Sequence, residues 1–497
     1  MGRVARQVAR PSKASKGSKG ANGSKRSKRT KGSIRTQRAT GAATPDLVSL
    51  AGRTLDRALA LGADAAEAFA FREAGWSVDV EGGRVAFAER GEDAGVGVRL
   101  SRGGRLGFGF FSDEADLDAA LREALGTLGK LPRKEFTFPG RRAMPVVAGT
   151  HDRRVASWGA EEGVSHARAL IGGAKEAARG VLVAGGGVAW SESEVAIANS
   201  EGVRGAWRGT QAGASLHAVL RDGATSTGFE YAVSRRADVD HAAVGREAAR
   251  LAKASRRPKK APEGALAVVF RPTALEGLLE TLVLGALSGD AARSGRSVYA
   301  ERLGERVMPA GVSLVEDGRL AGGPNSAPFD DEGVPSRRVP LVDGGVLRAY
   351  LDDVAGGLAA KGKSTSSAMR ADRMDSERSW RSPPRASGRN IVLAGRGKPL
   401  EALVADVRSG LVVHDALGAH TANPASGDFS VNASVVFAIE DGEVVHACRP
   451  VMVAGNLPRA FADVRLGDDR RALSGAFTPA AFLVPSVRLD GIRVAAG

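Results

Sequence analysis

The chain has 497 residues, 43% of them apolar and 26% charged, an ordinary soluble composition with room for about two or three domains and a sizeable core. Its formal net charge is +15, but residues 1–40 hold thirteen Lys and Arg and no acid, leaving 58 bases against 56 acids in a nearly neutral remainder. The single Cys448 excludes an internal disulfide framework and a Cys-cluster zinc site, and neither a secretory h-region nor a membrane span of about 18 apolar residues is found, so a cytoplasmic protein is expected.

A run of Ser, Gly, Lys and Arg cannot bury surface, so residues 1–43 are expected to be a disordered basic tail. Its charge suits electrostatic contact with nucleic acid or an acidic membrane surface. The preferred reading is a dispensable extension or an upstream start, because the tail has no aromatic residue for base stacking.

Thr44 is placed to cap a helix that tolerates Pro45 in its first turn. Leu47, Leu50, Leu55, Ala58 and Leu59 share one helical face, and Gly62 ends it. Residues 65–72, 77–80, 84–89 and 95–101 read as short strands, with hairpin turns at Gly82-Gly83 and Gly103-Gly104. Residues 105–111 return as a strand, and Ser112 is expected to cap a helix carrying Leu117, Leu121, Leu125 and Leu128. Residues 133–150 are Pro-rich and basic and read as a connector. A helix over 155–178, hairpin strands over 181–232 and an Ala-rich helix over 239–255 follow. The expectation for residues 44–257 is therefore an α+β domain, an antiparallel sheet with helices on one face.

The charged break Arg256-Arg257-Pro258-Lys259-Lys260 marks a boundary, and residues 264–497 are expected to form a mostly-β C-terminal domain. It opens with a strand over 265–270 and a helix over 272–287. Residues 361–388 read as one long polar loop, a length that is usually functional or disordered.

Candidate chemistry is sparse. Gly95-Val96-Gly97, Gly107-Phe108-Gly109 and Gly185–Gly187 lie inside hairpin strands, whereas a dinucleotide fingerprint opens a helix after a strand. No His-Glu-x-x-His and no Gly-x-Ser-x-Gly is present. The best metal set would gather His414, His420, His446, Cys448 and Asp428, with His446 and Cys448 on one face of a strand. The preferred reading there is a buried Cys beside a partly exposed strand histidine. Glu276 and Glu280 share a helical face, which suits acid/base work but reads more simply as a solvated face.

Two segments stand out by their company. PFDDEGVPSRRVPLVDGGVLRAYLDD (328–353) sets Asp330, Asp331 and Glu332 beside a chain reversal and a Gly344-Gly345 hairpin. SGDFSVNASVVFAIEDGEVVHACRPVMVAGN (426–456) repeats the strand, tight turn and strand. Together with SGDAARSGRSVYAERLG (288–304) they resemble the C-terminal half of the TldD/PmbA family of proteolysis-associated proteins. Gly62-Ala63-Asp64-Ala65, the hairpin around 96–99 and Ser112-Asp113 extend the resemblance more weakly toward the N-terminus.

In the TldD-like branch a helix at the start of the C-terminal domain carries His-Glu-x-x-x-His, whose histidines hold zinc while the glutamate serves as base. The matching stretch here, PTALEGLLETLVLGAL, has no histidine. The resemblance thus implies the PmbA/TldE-like branch, whose members pair with a TldD-like zinc subunit around a chamber that admits unfolded or small peptides. It implies no cofactor in this chain and zinc in the partner subunit. Asp330, Asp331 and Glu332, with Ser426, Gly427, Asp428 and Phe429, are the expected substrate-binding residues, the acids having a solvated turn as their alternative. Two rival readings stay open: a self-sufficient hydrolase with an unrecognised metal site, and nucleic-acid binding through the tail.

Overall fold

Strands β1 (Ala65–Glu81), β2 (Arg84–Arg102), β3 (Arg105–Phe111), β4 (Leu182–Asn199), β5 (Arg204–Asp222) and β6 (Ala224–Ser234) form one sheet. Their order is β3-β2-β1-β4-β5-β6 and every pairing is antiparallel. This computed structural model describes residues 46–371, 377–476 and 478–496. The short strands expected before residue 102 are two long ones. The polar and glycine residues that interrupt the alternation, such as Arg72–Gly75 and Arg90–Asp93, stay paired because β1 bonds along most of its length to both β2 and β4. Gly82 and Gly83 turn the first hairpin with φ of +57° and +73°, a region that costs glycine nothing.

Four helices cover one face: α1 (Leu47–Ala60), α2 (Leu117–Thr127), α3 (Ala160–Ala177) and α4 (His241–Ala254). Ala66, Ala68 and Ala70 of β1 pack under α1 and α2, while Val78 and Val80 pack under α3 and α4. The residues between them point the other way, and Phe69 and Phe71 join Trp207, Phe329 and Trp380 in a separate core. The period of two thus gives the sheet two buried faces, one for helices and one for the C-terminal half.

Several boundaries differ from expectation. Thr44 and Pro45, like the whole basic tail, lie outside the described residues. Asp46 caps α1, accepting from Val48 N–H at 3.2 Å. Asp113 rather than Ser112 receives a backbone N–H, from Ala115, and opens a 3₁₀ turn before α2. The helix expected over 155–178 is split, Arg153–Ser157 ending before Trp158-Gly159 and α3 starting after it.

In the C-terminal half, β7 (Gly264–Phe270) leads into α5 (Pro272–Glu280), which Pro272 opens at its first turn and a π turn, Thr281–Ala286, continues. The strands of four or more residues that follow are β8 (Ser313–Asp317), β9 (Arg338–Asp343), β10 (Asn390–Ala394), β11 (Ser409–Leu417), β12 (Asp428–Glu440), β13 (Glu443–Cys448), β14 (Val451–Asn456), β15 (Arg471–Ser474), β16 (Ala481–Val484) and β17 (Val487–Ala496). One sheet runs β9-β8-β10-β16-β15, with the short strand Val346–Leu347 beside β9. In the other, β11-β7-β17-β14-β12 closes on itself through the pairing of β12 with β11, which removes two exposed edges. One continuous core joins α5 to both sheets, with Leu275, Leu278 and Leu279 fully buried.

The described part of the long polar loop is largely buried rather than a solvated excursion. Residues 364–371 are buried, and Ala368–Arg370 pairs with Pro384–Ala386. Its Arg370 and Trp380 are among the largest fully or nearly fully buried side chains of the molecule.

Candidate functional site

Two charges lie within the apolar run of the central strands. Glu67 interrupts AAEAFAF in β1, and Arg99 sits opposite it in β2. Both face the C-terminal half. Arg99 grips Glu67 at 2.7 and 3.0 Å and reaches Glu332 at 2.7 Å. Arg370 donates to the same Glu67 at 2.6 Å, and Arg378 pairs with Asp331 at 3.1 Å. Asp330, Asp331 and Glu332 are each 1% exposed, so they are neither a solvated turn nor a surface open to solvent in this chain.

The chain reversal they flank is built by backbone: Asp330 N–H donates to Val334 O and Gly333 N–H to Asp330 O. Asp330 Oδ1 then accepts from Glu332 N–H and Val334 N–H, and Oδ2 from Ala368 N–H. Asp331 takes Arg370 N–H, and Glu332 takes Val354 N–H. Burial, then the neighbouring Glu332, pushes the Asp330 carboxyl well above its usual range. Burial also lowers Arg370 to about 10 against the pull of Glu67, so it stays cationic at neutral pH. An ion network of this kind is costly to desolvate but rigid once all its members are paired.

Glu276 and Glu280 on α5 are 7% and 4% exposed, so the solvated face expected of them is overturned. The face they share turns inward because Tyr231 of β6 and the segment after β15 cover it. Tyr231 Oη donates to Glu276 Oε2 at 3.4 Å, Ala476 N–H to Glu276 Oε1 at 2.9 Å, and Thr478 Oγ1 to Glu280 Oε1 at 3.2 Å. Burial, reinforced by Glu280, raises the Glu276 carboxyl well above its ordinary value. Next to it Arg471 of β15 pairs with Glu230 of β6 at 2.7 Å, a second bond between the two halves.

This donor set does not fit the zinc of the TldD-like branch. The helix and its π turn have no imidazole and no thiol, and their two carboxylates already receive protein donors. The alternative metal set does not assemble either. His446 and Cys448 do share a face, opposite Ala438 and Val436, while Asp428 is at the far end of β12, bonded to Asn456 at 2.9 Å. Burial lowers His414 to about 3 and pushes the Cys448 thiol up to about 11. Among the described residues no group of three or more His, Cys, Asp and Glu is placed to hold a metal.

Ser426, Gly427, Asp428 and Phe429 form the turn that enters β12. Asn456 Nδ2 donates to Ser426 O and Asp428 Oδ1, and Leu457 N–H to Gly427 O. Asp428 is exposed and Ser426 partly so, whereas Gly427 and Phe429 are buried, Phe429 edge-on to Phe270. The expected site residues therefore fall in two places, one buried between the halves and one at the end of the closed ring. The residues that sequence reading missed are Glu67, Arg99, Arg370 and Arg378. The available signal was the pair of charges set into otherwise apolar strands.

A helix-backed antiparallel sheet, joined by buried ion pairs to a closed strand ring carrying α5, defines a two-part architecture that known proteins share. Residues 66–127, 153–256 and 263–496 match, in order, domain 1, the central domain and the C-terminal domain of the PmbA/TldA metallopeptidases. The chain belongs to the TldD/PmbA family. It is 26% identical to a metalloprotease of Methanothermobacter thermautotrophicus over 84% of this chain and 92% of that one. It is also 26% identical to the metalloprotease PmbA of Escherichia coli O157:H7, over 50% and 51% of the two chains. In fold it is similar to TldE from Thermococcus kodakarensis, with a TM-score of 0.81 at 22% identity, covering 90% of this chain and 99% of that one. A putative modulator of DNA gyrase from Thermotoga maritima superposes with a TM-score of 0.78 at 23% identity, over 89% and 99%. Among the described residues no helix is long and apolar enough to cross a membrane.

Proposed function

We propose that this chain is a PmbA/TldE-like subunit without zinc of its own in a cytoplasmic TldD/PmbA-type metallopeptidase, where it helps to bind and degrade or process unfolded or small peptides. The observation that carries the reading is α5. Where a zinc-bearing member needs two imidazoles, this helix presents leucines and alanines to the core and two buried, protein-bonded glutamates. Zinc then belongs to a TldD-like partner subunit, where it would lower the pKa of a bound water for attack on a peptide carbonyl.

In this reading the chain's residues bind and shape rather than react. The turn Ser426–Phe429, pinned by Asn456, offers its exposed Asp428 and partly exposed Ser426 to substrate backbone at the end of β12. Glu332 braces the two halves that wall the chamber through Arg99, while Asp330 and Asp331 hold the turn and Arg378 beside it.

The test is zinc content and peptide cleavage of the purified chain, alone and co-expressed with a TldD-like protein. Zinc and cleavage only in the pair are expected. Stoichiometric zinc and cleavage by the lone chain would overturn the reading. Salt-sensitive nucleic-acid binding lost on deleting residues 1–40 would assign that binding to the tail.

A further inference from the structure

A cleft lies between the connector and the C-terminal half. Its walls are apolar, with Phe138 and Met144 on one side and Leu358 on the other. Four cations line it, Arg142, Arg319, Arg337 and Lys363, and no acid does among the described residues. Arginines elsewhere in this molecule are commonly held in ion pairs. Among the described residues, the side chains of Arg142, Arg319 and Lys363 have no ion pair and no hydrogen bond, and Arg337 donates only to Ser364 O. Burial lowers the Arg337 guanidinium from its usual value, with the nearby Asp330 opposing and Arg142 adding to the effect. Gathering like charges around an apolar cleft is unfavourable until an anion enters.

The connector supplies the second half of the argument. Residues 142–147 belong to no helix or strand and form no backbone hydrogen bond among the described residues. Val146 within them is 96% exposed. Apart from Arg142 the stretch is apolar, and apart from Pro145, which has no N–H, its unpaired backbone groups can receive an added strand. Free phosphate or acetate would use the cations and leave this edge unused.

We propose that the cleft binds the C-terminal end of an extended, apolar peptide, its terminal carboxylate on Arg142, Arg319 and Lys363 and its backbone along residues 142–147. The site is separate from α5 and from Ser426–Phe429, and it deepens the peptide-binding part of the proposed function, on which it rests.

The experiment is fluorescence anisotropy of the full chain with a fluorescein-labelled apolar hexapeptide, ending either in a free carboxylate or in its amide. The free acid is expected to bind at least about tenfold more tightly, the worth of a charge-assisted contact. The triple variant Arg142→Ala, Arg319→Ala, Lys363→Ala, whose substitutions are all at the exposed surface, should keep its melting temperature and lose that preference. Equal binding of acid and amide, or a preference that survives in the folded triple variant, overturns the proposal. Cleavage of both peptides by the reconstituted pair alongside equal binding would remove this site and leave the proposed function standing.

Discussion

Glu67 and Arg370 are separated by 303 positions and meet at 2.6 Å, both fully buried. One comes from the middle of the N-terminal sheet and the other from the loop that the C-terminal half lays across it. Arg99 completes the pair on one side, and Arg370 lies over the Phe69 ring at 4.7 Å on the other. The two halves are thus joined by charge enclosed in aromatic surface.

Glu67→Gln leaves two guanidiniums sharing one fewer buried carboxylate. Unpairing a buried charge costs about 3–5 kcal/mol, and urea denaturation should show a loss of that size. A loss under about 1 kcal/mol would mean that water reaches the network.

Gly95→Ala should also loosen this junction. A Cβ there would stand 2.5 Å from the Trp380 ring, and Trp380 is anchored by its Nε1–H to Asp93 at 3.1 Å. Overpacking of this kind costs about 1–3 kcal/mol. Gly52→Ala in α1, where nothing lies within 4 Å, is the control and should stabilise by about 0.5–1 kcal/mol. Equal effects of the two substitutions would refute the packing argument.

Glu276→Gln should be nearly silent for stability at pH 7. Burial and Glu280 push this carboxyl well above its usual range and so favour the neutral form, whose shape Gln copies. A change within about 1 kcal/mol is expected, against about 2–4 kcal/mol for Glu276→Ala, which leaves Tyr231 Oη and Ala476 N–H without their acceptor. A large loss in the Gln variant would show that Glu276 is ionised.

Acid should weaken the helix layer. His166 of α3 and His241 of α4 stack at 4.2 Å, and burial holds His241 near 4, with His166 adding to the effect and Asp240 opposing it. The unfolded chain then takes up a proton that the folded chain refuses. This part of the stability is complete above about pH 6.5 and is lost as pH falls from there to about 4. His241→Phe keeps the stack and should remove roughly 1–3 kcal/mol of the loss between pH 7 and pH 4. His414, held near 3, keeps part of the slope in the variant. An unchanged pH profile in His241→Phe would assign the acid sensitivity elsewhere.

Much of this architecture is legible in the chain. Gly82-Gly83, Gly103-Gly104 and Gly344-Gly345 mark their turns because only a residue without Cβ adopts those positive φ values freely. The strand of residues 105–111 and the helix opening at Pro272 follow from alternation and from the first-turn tolerance of proline. The extent of β1 and β2 was not legible, because pairing on both sides carries polar and glycine segments that local propensity would end. Glu276 and Glu280 show the same limit: spacing puts them on one face, but what covers that face comes from Tyr231 and Ala476, 45 and 200 positions away.

What the sequence determined by itself is local and compositional: the α+β pattern, the near-neutral body behind a basic tail, and a helix at 272–287 without the imidazoles that zinc requires. Those follow from period, turn chemistry and ligand chemistry, which need only neighbouring residues. Only the tertiary structure decided where the charges go. Asp330, Asp331 and Glu332 have the composition of a solvated turn, yet Arg99, Arg370 and Arg378 enclose them. A buried charge is stable only where partners converge, and here those partners come from strands and loops up to 303 residues apart.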